Sequence, residues 1–344
     1  MATIYSFGLG VGTQNTAQEW LDVFYSKPLL KPSATLISAI EKVTGYNGGN
    51  TAIAITAETA TLLAKELDAI GATEQAQLAS ALATSSQPLV VTILATDAAP
   101  SSVPEGYLKL HLLSHRLVKP HETKLDGLFG VLPNVAWTNQ GAVDLTELPQ
   151  RQLAARMKGE LLTVDCVNKF PKMTNYVVPT GVRIAHTARV RLGAYIGEGT
   201  TIMHEGFVNF NAGTLGTSMV EGRISAGVII GEGSDLGGGS STMGTLSGGG
   251  NIIISVGKEC LLGANSGIGI PLGDRCTVES GLYITAGTKV SLLDDNNTLV
   301  EHIKARDLAG KDDLLFRRNS VTGNVECLTN RSAVALNEEL HANN

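Results

Sequence analysis

The sequence predicts a mainly β protein whose central part is a parallel β-helix, flanked by an N-terminal α/β domain and a small C-terminal β segment that caps it. Two observations carry this prediction. The chain has 344 residues and 39 glycines, and 25 of these glycines lie between residues 181 and 290. Over the same stretch aliphatic residues recur every six positions, a period that neither a strand nor an α-helix produces.

The spacing of six is the stronger of the two observations. Its positions are Ile184, Val190, Ile196, Ile202 and Val208, then Ile224, Ile230 and Leu236, then Val256, Leu262 and Ile268, and finally Leu272, Val278, Ile284 and Val290. Such hexapeptide repeats are typical of a parallel β-helix, in which each hexad forms one short strand and one corner. The aliphatic side chain then points inward, and three hexads close one coil of about 18 residues.

Two interruptions of the repeat are candidates for functional loops. The spacing fails between Val208 and Ile224, and again through residues 241–251, where glycine, serine and threonine are frequent. Loops that leave a rigid scaffold often carry binding and catalytic residues, so we expect loops at both places. The alternative is that both are neutral insertions.

The predicted organisation has four parts. Residues 1–120 form the α/β domain, 121–180 a connecting region, 181–290 the β-helix and 291–344 the cap, which shields the open end of the coil. In the first two parts we expect helices over residues 17–23, 33–43, 57–70, 73–84 and 146–158, and strands over 51–56, 88–95 and 160–167. Residues 8–12 do not match a phosphate-binding glycine loop, and we expect a mobile or substrate-facing loop there.

Composition excludes several classes of protein. The formal net charge is −6 without a basic run, which disfavours a nucleic-acid binder. No apolar stretch is long enough to span a membrane, and residues 1–26 contain no lysine or arginine for a secretory signal. The four cysteines form no CxxC pair, which argues against a zinc cluster or a redox dithiol. We therefore expect a soluble cytoplasmic protein.

Three kinds of function are compatible with the repeat: acyl transfer, carbonic anhydrase chemistry and a purely structural role. The anhydrase needs three imidazoles on zinc. His186 and His204, one coil of three hexads apart, would stack on successive coils, but the repeat region offers no third histidine. Acyl transfer needs a carboxylate near the nucleophile, an oxyanion donor and cations for the carrier.

Candidates for acyl transfer cluster around the first interruption. Glu205 and Glu221 flank it, Arg223 could bind a substrate carboxylate, and residues 237–239 offer backbone N–H groups. A basic group near the C-terminus could hold an anionic carrier or could be a solvated cap face; it contains Lys304, Arg306, Lys311, Arg317 and Arg318.

Several longer motifs resemble one enzyme family. Residues 204–216, 219–223, 244–250, 261–267 and 315–320 together resemble the longer form of tetrahydrodipicolinate N-succinyltransferase, most densely over residues 180–326. The resemblance implies a left-handed parallel β-helix, a homotrimer with active sites between subunits, and succinyl transfer from succinyl-CoA to tetrahydrodipicolinate in lysine biosynthesis. The alternatives are another hexapeptide acyltransferase and a non-enzymatic solenoid.

The resemblance also implies roles for individual residues. Glu221 is the catalytic carboxylate, either as a general base, which we favour, or through an acyl anhydride. The succinyl-CoA contacts it implies are Arg223, Gly238, Ser241, Ala264, Glu279, Ser280, Gly287, Lys304, Arg317, Arg318, Asn319 and Ser320. A divalent cation such as Mg²⁺ could sit at Glu205 near the trimer axis. However, Ala188 stands where relatives carry an aspartate, which puts a full metal site in doubt.

Overall fold

A computed structural model describes residues 3–244 and 252–329. The chain forms two compact units. The first comprises the described residues up to Leu112 together with residues 122–171 and 175–177, and the second comprises residues 113–121, 172–174 and the described residues from Val178 onward. The four-part division expected from the sequence stays a prediction.

The first unit is built on an antiparallel sheet with helices packed against it. Its elements in chain order are β1 (Ser6–Gln14), β2 (Trp20–Phe24), β3 (Leu29–Leu30), α1 (Ala34–Thr44), β4 (Thr51–Ile55), α2 (Ala57–Ala69), α3 (Thr73–Leu82), β5 (Leu89–Leu94), α4 (Val103–Ser114), α5 (Leu128–Val131), β6 (Val135–Thr138), β7 (Gly141–Asp144), α6 (Leu148–Met157) and β8 (Val164–Asn168). The main sheet has the order β2-β1-β5-β4, with β3 also paired to β1, and β7-β6-β8 form a second antiparallel sheet.

Local signals in the sequence set the limits of the helices in this unit. Ser33 caps α1 by accepting a hydrogen bond from the backbone N–H of Leu36, and Gly45 ends the helix at φ 70°. Thr56 caps α2 in the same way. Leu36, Ile40 and the α2 residue Leu63 join Phe7 in the core of the unit. The predicted helices over residues 33–43, 57–70, 73–84 and 146–158 are confirmed.

Two expectations for this unit are wrong. Residues 17–23 do not form a helix, because Leu21, Val23 and Tyr25 alternate with more exposed residues and are buried as one face of the sheet. Residues 8–12 are not a loop but the centre of β1. A β-carbon at Gly8 would lie 2.6 Å from the Tyr25 ring, so the missing side chain makes room for that ring.

The second unit contains the parallel β-helix. Three parallel sheets form its faces. Face A consists of β10 (Ala194–Ile196), β13 (Ala212–Thr214), β16 (Ile229–Ile230) and β19 (Ser255–Val256). Face B consists of β9 (Arg183–Ile184), β11 (Thr200–Ile202), β14 (Ser218–Val220), β17 (Asp235–Leu236), β20 (Leu261–Leu262), β22 (Thr277–Val278) and β26 (Leu314–Arg318). Face C consists of β12 (Phe207–Val208), β15 (Arg223–Ile224), β18 (Ser241–Thr242), β21 (Gly267–Gly269) and β23 (Tyr283–Thr285).

The repeat positions point into the coil. From Val190 to Val290 the predicted aliphatic residues are at most 4% exposed, while Ile184 in the first coil is half-buried. Ala194 pairs in the ladder with Ala212, which is the spacing that a coil of three hexads requires. The hexapeptide interpretation of this stretch is therefore confirmed.

The first interruption is not a loop, contrary to our expectation. Thr214 and Val220 continue the spacing of six after Val208, and both are fully buried in strands β13 and β14. The spacing failed in the sequence because threonine occupies an inward position, where its hydroxyl bonds that of Thr200 at 2.7 Å. The coil is shortened at the corner that follows Val220, so that Phe207 pairs with Arg223 and the ladder spacing is two positions less than three hexads.

The second interruption begins later than the sequence suggested. Thr242 on β18 is still an inward, buried position. Leu236 pairs with Leu262, so the ladder spacing at this coil exceeds three hexads by eight positions. Residues 245–251 of the expected loop lie outside the described residues.

Two hairpins follow the coil. They are β24 (Lys289–Leu293) with β25 (Leu299–Lys304), and β26 with β27 (Val325–Thr329). β26 extends face B beyond β22, and β27 pairs in parallel with β24, so the cap continues the coil. In the described part of the chain, no helix has both the length and the apolar character needed to cross a bilayer.

Candidate functional site

Glu221 lies at the shortened corner between faces B and C. Its backbone N–H donates to the carbonyl of Leu236 at 2.8 Å, and its carbonyl accepts from the N–H of Gly239 at 3.3 Å. Both hydrogen bonds join it to the next coil, which fixes the backbone while the half-buried side chain remains outside the core. Within the described residues, no cation lies within ion-pair distance of this carboxylate.

Gly238 leaves space beside the Glu221 carboxylate. A β-carbon at position 238 would lie 3.4 Å from Glu221 Oε2, and no other atom would contact it within 4 Å. By contrast, a β-carbon at Gly263 would lie 2.5 Å from the backbone nitrogen of Ser280. The corner is thus tightly stacked at Gly263 and open next to the carboxylate.

The same corner brings several predicted site residues into one column. The carbonyl of Gly238 accepts from the N–H of Asn265, and the carbonyl of Ala264 accepts from the N–H of Gly281, both at 2.8 Å. Glu279 and Ser280 precede Gly281 at the next coil. Residues that are far apart in the chain therefore line one edge of the β-helix, starting at Glu221.

Two predicted residues, Arg223 and Ser241, begin a second row along face C. Arg223 pairs directly with Ser241, Ser241 with Gly267, and Gly267 with Tyr283. Arg223 is exposed and follows Glu221 by two positions. A β-carbon at Gly267 would lie 2.1 Å from the ring of Tyr283, so this half-exposed ring covers the glycine.

The C-terminal arginines are joined to this edge by hydrogen bonds. Glu279 accepts one from the backbone N–H of Arg318 at 2.6 Å. Arg317 forms an ion pair with Glu326 at 2.9 Å, and Asn319 donates to the same carboxylate at 2.7 Å. The bond from Asn319, with support from Arg317, holds the pKa of Glu326 below its usual value. Arg318 and Ser320, which are also predicted contacts, are exposed.

Two further predicted residues lie beside the first hairpin of the cap. Gly287 precedes β24 and faces open space, and Lys304 ends β25. Lys304 lines a cleft of about 550 Å³ whose other walls are Lys289, His302, Ile303, Arg306 and Asp307.

Glu205, the predicted metal ligand, is already engaged by an arginine and a histidine of its own chain. Arg189 binds Oε2 at 2.8 Å, and His204 Nδ1 lies 2.6 Å from Oε1. The hydrogen bond with His204 and the Arg189 guanidinium lower the pKa of this exposed carboxyl group. His186 stacks edge-on to His204 with ring centroids 5.1 Å apart, which confirms the stacking expected from their spacing.

These surroundings do not fit a divalent cation within one chain. Among the described residues no group of three or more histidine, cysteine, aspartate or glutamate side chains is arranged to hold a metal. Arg189 supplies the positive charge that a cation would bring to Glu205. Ala188, one residue earlier, has no ligand atom to add.

Sequence reasoning missed Tyr283, Lys289, His302 and Glu326. The positions of Tyr283 and Lys289 beside predicted site residues follow only from strand register, which the sequence does not show. His302 could have been noticed because it lies two residues before Lys304 in an alternating segment. Glu326 gave no signal, because its role depends on the hairpin that brings it to Arg317.

The arrangement can support chemistry between an amine and an acyl donor. A carboxylate that has no cationic partner in the described part of the chain is available to accept a proton. The space next to Gly238 is open beside this carboxylate, and Arg223, two residues after Glu221, is exposed and could bind an anionic group.

Two family models match the chain. One, described as the middle part of tetrahydrodipicolinate N-succinyltransferase, matches residues 132–172. The other, described as the hexapeptide repeat of succinyl-transferase, matches residues 253–286.

Relatives of known name are similar along nearly the whole chain. A 2,3,4,5-tetrahydropyridine-2,6-dicarboxylate N-succinyltransferase of Pseudomonas putida is 69% identical over 342 residues, which is 99% of each chain. The enzyme of the same name from Vibrio cholerae is 60% identical over 340 residues, also 99% of each chain. A 1.90 Å crystal structure from Campylobacter jejuni, assigned as a 2,3,4,5-tetrahydropyridine-2-carboxylate N-succinyltransferase, has a TM-score of 0.88 and 33% identity, covering 97% of this chain and 94% of that one.

Proposed function

Because the chain belongs to the tetrahydrodipicolinate N-succinyltransferase family, we propose that it transfers succinyl from succinyl-CoA to the amino group of ring-opened tetrahydrodipicolinate. The products are N-succinyl-2-amino-6-oxopimelate and CoA, in the succinylase branch of diaminopimelate and lysine biosynthesis. The observation that carries this proposal is the identity of 60–69% to named N-succinyltransferases over 99% of the chain.

In the proposed reaction Glu221 is the general base. The acceptor nitrogen attacks the thioester carbonyl, so that an N–C bond forms and the C–S bond breaks. Glu221 takes the proton that the amine loses, and this proton then reaches the departing CoA sulfur. The carboxylate suits the role because no cation of the described chain neutralises it. We favour direct attack over an acyl anhydride, because a thioester is already activated towards an amine.

Binding of succinyl-CoA is proposed along the edge that starts at Glu221 and continues into the cap. Arg223 is suited to the succinyl carboxylate, because it is exposed and pairs along face C with Ser241. The further contacts that we propose are Gly238, Ala264, Glu279, Ser280, Gly287, Lys304, Arg317, Arg318, Asn319 and Ser320. The bond between Glu279 and the Arg318 backbone supports this assignment, since it ties the C-terminal run to the coil.

We further propose a left-handed coil and a homotrimer with active sites between neighbouring subunits. The supporting argument is family membership together with the exposed position of Arg223 and of the open space at Gly238, which a second subunit could cover. The buried free thiols Cys260, Cys276 and Cys327 fit a reducing compartment, and we propose the cytoplasm. A divalent cation at Glu205 is not part of the proposal, because Arg189 occupies that carboxylate.

The test is CoA release from succinyl-CoA, measured with and without tetrahydrodipicolinate and followed by mass spectrometry of the product. We expect acceptor-dependent release and a product heavier by one succinyl group. Acetyl-CoA in competition should be used more slowly. Preference for acetyl-CoA would indicate a different hexapeptide acyltransferase, and the absence of acceptor-dependent release would overturn the proposal.

A further inference from the structure

Two lysines face each other across the first hairpin of the cap. Lys289 on β24 pairs directly with Lys304 on β25 in antiparallel register. Residues that are directly opposite in such a pair have their side chains on the same side of the sheet. Like charges in this arrangement destabilise a hairpin, and a bound anion would offset their repulsion.

Further donors lie on the same side of the hairpin. Ser291 and His302 form the next pair on that side, two residues along each strand, and Ser291 Oγ lies 3.2 Å from His302 Nδ1. Arg306 follows Lys304 by two positions, and its side chain is exposed. The cleft of about 550 Å³ is lined by Lys289, His302, Lys304 and Arg306, and an adjoining cleft of about 300 Å³ shares Lys289 and His302.

The charges in this cleft are not balanced by the chain itself. Lys289, Lys304 and Arg306 carry three positive charges, and Asp307 is the carboxylate in the lining. Among the described residues none of these three cations has a carboxylate within ion-pair distance. Asp307 is held by the backbone N–H of Lys304 at 3.3 Å. Arg306 Nε donates to the carbonyl of Ala286 at 3.3 Å. The cleft is therefore a concave, cationic surface.

We propose that Lys289, His302 and Arg306 act with Lys304 to bind the phosphates at the nucleotide end of the acyl-CoA substrate. The proposal rests on the proposed function, which supplies a carrier with an adenosine 3′-phosphate and a diphosphate. Lysine and arginine are the residues that bind phosphate oxygens most strongly. A cleft of this volume is in the range of small-molecule sites, which span about 300–1,000 Å³.

The experiment compares two acyl donors in the full-length protein. Succinyl-CoA carries the nucleotide, whereas succinyl-pantetheine presents the same thioester without it. In Lys289→Met we expect the KM for succinyl-CoA to rise about tenfold, the effect of losing one charge-assisted contact, with no change for succinyl-pantetheine. Arg306→Met should behave alike. Lys258→Met is the matched control, because it removes one exposed positive charge elsewhere on the coil and should alter neither KM.

Two measurements separate ligand binding from a structural role. Calorimetry with adenosine 3′,5′-bisphosphate should show a Kd about tenfold higher in Lys289→Met than in the wild type, the factor expected from the same contact. The Tm of the ligand-free variant should be unchanged or higher, because the substitution removes a like-charge pair. A lower Tm with equal KM changes for both donors would assign Lys289 to the fold and overturn the proposal.

Other outcomes also decide the question. An unchanged KM for succinyl-CoA in Lys289→Met, or binding of inorganic phosphate as tight as that of adenosine 3′,5′-bisphosphate, would exclude a nucleotide site. If the wild type turns over neither donor, the proposed function fails. The calorimetry with adenosine 3′,5′-bisphosphate then still decides whether the cleft binds the nucleotide.

Discussion

Two corners of the β-helix each present a glutamate, and the environments of these glutamates differ. Glu205 near the start of the coil is bound by Arg189 and His204, whereas Glu221 faces the open space at Gly238. Residue type and repeat position therefore do not decide which carboxylate can act as a base. The neighbouring side chains decide it, since the hydrogen bond with His204 and the charge of Arg189 lower the pKa of Glu205 and make it a weaker base.

The largest effect should come from removing the two carboxylates separately. Glu221→Gln should lower kcat by about a hundredfold or more, the usual contribution of a general base. Glu205→Gln, the matched control, should change kcat less than about twofold, because its partners belong to a structural ion pair. Steady-state CoA release measures both variants. An equal loss of kcat in the two variants would contradict the functional difference between Glu221 and Glu205.

A pair of glycine substitutions tests how tightly the Glu221 corner is stacked. Gly263→Ala should lower the free energy of unfolding by about 1–3 kcal/mol, because the new methyl group meets the Ser280 backbone. Gly238→Ala should leave the Tm unchanged and lower kcat/KM by about tenfold, because the methyl group occupies space beside the reacting carboxylate. Thermal unfolding and CoA release distinguish them. A destabilised but fully active Gly238→Ala protein would contradict the open site.

The smallest effect concerns pH and the Glu205 corner. Because the pKa of Glu205 is lowered in the folded protein, its ion pair stabilises the fold above the usual carboxyl pKa of about 4.5, and this contribution is lost as the pH falls through the lowered pKa. Arg189→Met should therefore have a slightly lower Tm than the wild type at pH 6, and the difference should shrink towards pH 3. A Tm difference that grows towards pH 3 would contradict the stabilisation expected from the lowered pKa of Glu205.

The sequence predicted the parts of the fold that follow from periodicity. The predicted aliphatic residues of the repeat between Val190 and Val290 are buried as expected. A spacing of six in a coil of three faces places them all on the inner side. The inward position of Thr214 was not predicted, because hydrophobic patterning does not anticipate a buried threonine. Its hydroxyl is hydrogen-bonded inside the coil. Residues 17–23 were misassigned because a short apolar segment is compatible with either period.

Prediction of the site depended on a different kind of information. Glu221 and Arg223 were candidates because they lie near the first interruption of the repeat. Their roles and the set of CoA contacts came from motif resemblance, since an isolated carboxylate in a glycine-rich coil has no distinctive spacing. The structure adds the reason why position 221 differs from position 205. Lys289 could not be singled out, because its significance depends on pairing with Lys304 across a hairpin whose register is set by the fold.

We propose that Glu221 takes a proton from an amine that attacks the thioester directly. Rapid mixing of the enzyme with excess succinyl-CoA in the absence of acceptor tests it. We expect no burst of free CoA, followed by steady release once tetrahydrodipicolinate is added. A burst of about one CoA per active site, with a succinyl group on the peptide that contains Glu221, would contradict the claim and establish an acyl-anhydride intermediate.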